Sequence, residues 1–66
     1  MHPSILTAGQ IARELGCDAW KVTAAMRRGF FRQLPKVGVY FVADRSELPE
    51  IRTGLILAGY LSPDPA

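Results

Sequence analysis

Cysteine and histidine are almost missing: the 66 residues hold one cysteine, Cys17, and one histidine, His2. One thiol cannot close an internal disulfide, and no Cys/His set has zinc spacing. The two staples of many very small proteins are therefore excluded. Packing, a second subunit or a ligand has to supply the stability. A chain this short buries only about 60% of its unfolded surface and allows one domain, spanning residues 1–66. Long apolar runs are missing too, since nothing approaches the ~20 residues of a membrane helix. The stretch MHPSILTAGQ lacks the basic region of a secretory signal, so a reducing cytoplasm is the expected compartment. One histidine, one cysteine and no clustered pair of acids near a plausible pocket leave no catalytic constellation, and His2 has no partner. The expectation is a chain that is not an enzyme and uses no metal, no cofactor and no small-molecule effector.

Acidic residues are absent from the whole stretch Ala19–Ala43, which carries Lys21, Arg27, Arg28, Arg32 and Lys36. The flanks hold Arg13, Arg45 and Arg52 against Glu14, Asp18, Asp44, Glu47, Glu50 and Asp64. A net charge of +2 thus hides a middle of +5 and flanks of −3. Such a basic segment reads either as a polyanion-binding surface or as a solvated charged face.

What is present reads as three helices and a hairpin. Thr7 and Gln10 form a capping-box pattern, Ala8, Ile11, Ala12 and Leu15 share a face, and Gly16 supplies a stop. These predict a first helix over 8–15. Asp18 is the next N-cap candidate, Ala19, Val22, Ala25 and Met26 form the next stripe, and Gly29 ends it, predicting a second helix over 19–28. Residues 31–43 then read as a β-hairpin punctuated by Pro35 and Gly38, its first arm short or at an edge. Phe30 and Phe41 are expected in the core, and Cys17 as a small apolar plug. Asp44 and Glu47 repeat the capping-box pattern, predicting a third helix over 45–58 with Leu48, Ile51, Leu55 and Ala58 inward. Gly54 is expected to weaken it slightly. The core is placed at about 5–58, with 62–66 as a frayed tail.

Two short helices joined by Gly16-Cys17-Asp18 suit a helix-turn-helix. The residues Ile11-Ala12, Leu15-Gly16-Cys17, Val22 and Arg28-Gly29-Phe30, followed by Val39-Tyr40-Phe41-Val42, Leu48 and Ile51, resemble the MerR-like and excisionase-like winged helix-turn-helix domains over roughly residues 5–58. The resemblance implies a mainly α fold with a small β-hairpin. It also implies helix 19–28 in the DNA major groove and the hairpin wing 31–43 on the backbone or minor groove. Thr23, Ala24 and Ala25 replace the arginine and aromatics that MerR regulators often carry in the middle of that helix. MerR regulators also continue into a long dimerisation helix and an effector domain, for which 66 residues are expected to be too few. A small excisionase-like binder therefore fits better than a ligand-sensing regulator. Transcriptional regulation and recombination control both stay open, in the cytoplasm and associated with the nucleoid.

The residues themselves carry the same reading. On helix 19–28 the face opposite the core stripe shows Trp20, Ala24, Arg27 and Arg28, with Lys21 and Thr23 at its margins. Lys21, Arg27 and Thr23 can reach bases or phosphates, and Arg28, Arg32 and Lys36 suit phosphates. Arg27 and Arg28 also complement a helix C-terminus, and Lys36 also reads as an ordinary turn residue. Tyr40 points to phosphate or pairs across the hairpin. Trp20 has three readings: stacking on sugar or base, burial at a protein interface, or folding back over the wing. Ile56, Leu57, Tyr60 and Leu61 leave an apolar patch that reads as a homodimer or partner site, or as a tail over the core. The expected partner is double-stranded DNA, with a log–log salt slope of roughly −4. A protein-interaction module built on Trp20 and the Ile56–Leu61 patch is the competing function. RNA suits the geometry less well.

Overall fold

The computed structural model describes residues 4–63, and His2 and the last three tail positions lie outside them. The order is β1 (Ile5–Thr7), α1 (Ala8–Leu15), α2 (Ala19–Arg27), β2 (Lys36–Val37), β3 (Tyr40–Asp44), a 3-10 turn over Arg45–Glu47, and α3 (Leu48–Ala58). The architecture is three helices and a three-stranded antiparallel sheet of order β1-β3-β2. No helix among the described residues is long and apolar enough to cross a membrane.

Local chemistry sets the α1 boundaries. The Thr7 hydroxyl accepts from the Gln10 N–H, and the Gln10 side chain accepts from the Thr7 N–H at 2.9 Å. All three helices end with the same device. A left-handed glycine (Gly16, Gly29, Gly59) reverses the chain. The next residue then donates its N–H five residues back: Cys17 to Ala12, Phe30 to Ala25, Tyr60 to Leu55. This closure satisfies orphan carbonyls and turns the residue after the glycine back onto the helix. Cys17, Phe30 and Tyr60 accordingly pack half-buried against the core.

The core is formed by Ile11 and Ala12 of α1, Val22, Ala25 and Met26 of α2, and Ile51 and Leu55 of α3. Leu6, Ala8, Leu34 and Ala43 close it. The facing pair Leu6–Ala43 directs the sheet's inner face onto the helices. Two ion pairs bind the periphery. Arg45 donates to Glu14 at 2.8 Å, tying the 3-10 turn to α1. Arg32 ties the segment after α2 to the same turn through Glu47.

Several expectations need correction. The sheet is more than a hairpin, because Ile5–Thr7 pairs with Val42–Asp44. The hairpin strands occupy 36–37 and 40–44, where the expected hairpin ran over 31–43. The second helix stops at Arg27, with Arg28 as its cap. The third helix begins at Leu48, not residue 45. Asp44 and Glu47 do form a capping box, but it closes a 3-10 turn. Pro49 has no N–H to reach the Arg45 carbonyl, so Leu48 bonds to that carbonyl instead and the α-helix starts after it.

Phe30, Phe41 and Cys17 are half-buried flankers of the core. Tyr60 and Leu61 also pack on it, so the core extends past residue 58. Gly54 is a close-approach position: a Cβ there would meet the Phe30 carbonyl oxygen and the Phe31 ring at 2.8 Å. Its missing side chain lets the segment after α2 lie on α3.

Candidate nucleic-acid interface

The helix α2 turns Val22, Ala25 and Met26 inward and leaves the opposite side open. Trp20 is 58% exposed, and Arg27 and Arg28 are exposed. Lys21, Thr23 and Ala24 are half-buried beside them. Asp18 stands at the N-cap, but its side chain makes no capping bond. The Thr23 hydroxyl donates to the Trp20 carbonyl at 3.0 Å, which leaves the oxygen able to accept a further bond.

The five cations of the acid-free stretch fall into two groups. Arg32 is engaged. Its Nε and Nη2 donate to the two carboxylate oxygens of Glu47 at 2.5 and 2.7 Å. That carboxylate also accepts the Asp44 N–H at 3.2 Å. The paired donation raises the Arg32 pKa and holds the Glu47 carboxyl below its ordinary value. Asp44 is lowered too, chiefly by hydrogen bonds from Ser46. Arg32 is therefore part of the fold's bracing, and a phosphate would have to compete with Glu47 for it. Lys21, Arg27, Arg28 and Lys36 belong to neither ion pair found among the described residues.

Those four differ in how they are held. Lys21 lies 5.7 Å from the Trp20 ring centre, and Lys36 5.4 Å from that of Phe41. Arg27 has no side-chain hydrogen bond among the described residues. Arg28 donates to the Tyr60 hydroxyl at 3.3 Å and lies over the Phe30 and Tyr60 rings.

Trp20 packs edge-on against Tyr60, with ring centres 5.6 Å apart. It thus lies against a residue just past the end of α3. Trp20 and the α3-end patch, two separate surfaces in the sequence, are one surface in the fold. Leu57, 69% exposed, precedes Tyr60 by one turn of that end. Ile56 and Leu61 are half-buried. On the hairpin, Tyr40 pairs with Val37, and both are about two-thirds exposed.

Comparison with protein-family models, curated proteins and solved structures finds no match for this chain.

No cluster of His, Cys, Asp and Glu able to hold a metal ion occurs among the described residues. Burial pushes the Cys17 thiol up, with Lys21 and Asp18 acting in opposite directions, so the group stays a neutral packing residue at pH 7. Sequence reasoning missed the engagement of Arg32 and the aromatic contact of Trp20. Spacing alone carried no signal for either.

Proposed function

We propose that this chain is a small double-stranded-DNA-binding protein of winged helix-turn-helix architecture. The helix α2 is the recognition helix in the major groove, and the β2–β3 hairpin is the wing on the backbone or minor groove. The observation that carries this reading is the outer face of α2. It presents Lys21, Arg27 and Arg28 around the small Ala24 and Thr23, unopposed by any acid from Ala19 to Ala43. Neither ion pair among the described residues draws on these three cations. Arg27 and Thr23 reach base edges, while Lys21, Arg28, Lys36 and Tyr40 contact the backbone. One short helix reads few bases, so useful specificity needs a dimer, an array or a partner protein. That requirement fits a transcriptional regulator or an excisionase-like recombination factor.

Titration of labelled mixed-sequence duplex at two salt concentrations tests the reading. Three cationic phosphate contacts, from Lys21, Arg28 and Lys36, predict a log–log slope of about −2.7, equivalent to a ~40-fold loss between about 50 and 200 mM salt. Arg27→Ala and Lys21→Ala each flatten the slope or weaken binding. Failure of the wild-type chain to bind duplex at low salt overturns the proposal.

A second reading, a protein-interaction module, is favoured by one observation: exposed Trp20 touches Tyr60 beside exposed Leu57. It predicts that Trp20→Ala abolishes a protein complex while duplex affinity stays unchanged.

A further inference from the structure

Arg28 is unlike the other cations of α2. Arg27, next to it, is exposed and without a side-chain partner among the described residues, whereas the Arg28 guanidinium lies near two aromatic rings and donates to the hydroxyl of one of them. Its carbon lies 5.1 Å from the Phe30 ring centre and 5.9 Å from that of Tyr60. Its Nη1 donates to the Tyr60 hydroxyl at 3.3 Å. Both rings arrive by the same route. Phe30 follows Gly29 and Tyr60 follows Gly59, so the glycine-closed ends of α2 and α3 each deliver an aromatic ring to one guanidinium. Trp20, two turns earlier on α2, packs edge-on with the same Tyr60 ring.

The consequence is a planar cation restrained by one hydrogen bond and two ring contacts. One of its five N–H donors is occupied, and the others have no hydrogen-bond partner among the described residues. A guanidinium already ordered loses less freedom when it engages an anion, and its fork matches phosphate oxygens.

We propose that Tyr60 is a positioning residue for phosphate recognition: it aims Arg28 at the DNA backbone and makes the end of α3 a third support of the interface beside α2 and the wing. This rests on the DNA-binding reading of α2.

The test is a double-mutant cycle on duplex affinity, with Tyr60→Phe, Tyr60→Leu and Arg28→Ala singly and combined. Tyr60→Phe keeps the ring and removes one hydrogen bond, so it weakens binding by about 3–10-fold. Arg28→Ala weakens binding and reduces the size of the salt slope by about 0.9. In the Arg28→Ala background neither Tyr60 variant weakens binding further, because Tyr60 acts through Arg28. Circular dichroism and thermal melting check that each variant is folded. If Tyr60→Leu does not fold, the Tyr60→Phe arm carries the test. Wild-type affinity in Tyr60→Phe, or a Tyr60 effect that persists without Arg28, overturns the assignment while leaving DNA binding standing. A wild-type chain that does not bind duplex overturns both.

Discussion

The helices α1 and α2 are neighbours of similar length, yet their free surfaces are built differently. In α1 both ends are closed, by the Thr7–Gln10 box and by the Gly16 turn. Its outer face is braced to the rest of the molecule through Glu14 and Arg45. In α2 the N-cap side chain makes no bond, a tryptophan stands in solvent, and Arg27 and Lys21 have no carboxylate partner among the described residues. Their inner faces contribute equally to the core, with Ile11 and Val22 both fully buried. The helix α1 thus serves the fold on both faces, while α2 serves it on one and leaves the other unmatched. An unmatched cationic face is where binding is to be sought.

Stability measurements sharpen that contrast, beginning with the largest effect. Ile11→Ala removes a fully buried side chain and is expected to cost about 2–5 kcal/mol, a large share of the stability of a domain this small. Trp20→Ala removes a larger side chain from α2 but is expected to cost no more than ~1 kcal/mol, since the ring is mostly in solvent. Urea unfolding of the two variants compares them directly, and equal losses would erase the distinction between the faces.

Gly54→Ala tests the approach of the post-α2 segment to α3. Helix propensity alone would make it stabilising by about 1 kcal/mol. The Phe30 carbonyl oxygen in the way makes it destabilising instead, by about 1–3 kcal/mol before that gain is subtracted. A raised melting temperature would contradict the packing described.

The caps give a smaller, paired prediction. Thr7→Ala is expected to cost about 1 kcal/mol, because its hydroxyl holds an α1 donor. Asp18→Ala is expected to stay within about 0.5 kcal/mol, because that side chain holds none. Similar melting shifts for both would mean that α2 is capped after all.

Acid pH gives the smallest effect. Glu47 and Asp44 are lowered from ordinary values of 4.5 and 3.8, so the folded chain binds their protons less readily than the unfolded chain does. Their contribution is full above those ordinary values and is lost as pH falls through the lowered folded ones. Melting temperature should therefore drop between about pH 5 and pH 2, and Glu47→Gln should melt lower at neutral pH with a shallower acid slope.

These particular residues also show why some of the architecture was legible and some was not. The α1 signals, Thr7, Gln10 and Gly16, act within a few residues of one another, and periodicity placed Ile11 and Val22 inward. The three-residue strand β1 has no period to detect, and its pairing of Leu6 with Ala43 spans most of the chain. The charge count read Arg32 as a phosphate contact, but Glu47, fifteen residues later, claims it. Trp20 and Tyr60 are forty residues apart, and only the glycine turn after α3 brings their rings together. Pro49 was visible in the sequence. Its consequence was not, because a capping box at 44–47 suits a 3-10 turn as well as an α-helix.

Amide chemical-shift mapping during titration with unlabelled duplex DNA tests the division of labour between α1 and α2 most directly. The account predicts salt-sensitive shifts gathered on Trp20–Arg28, the hairpin around Lys36–Tyr40 and the turn at Tyr60, with the outer face of α1 unmoved. Shifts centred on α1, or none at low salt, would contradict it.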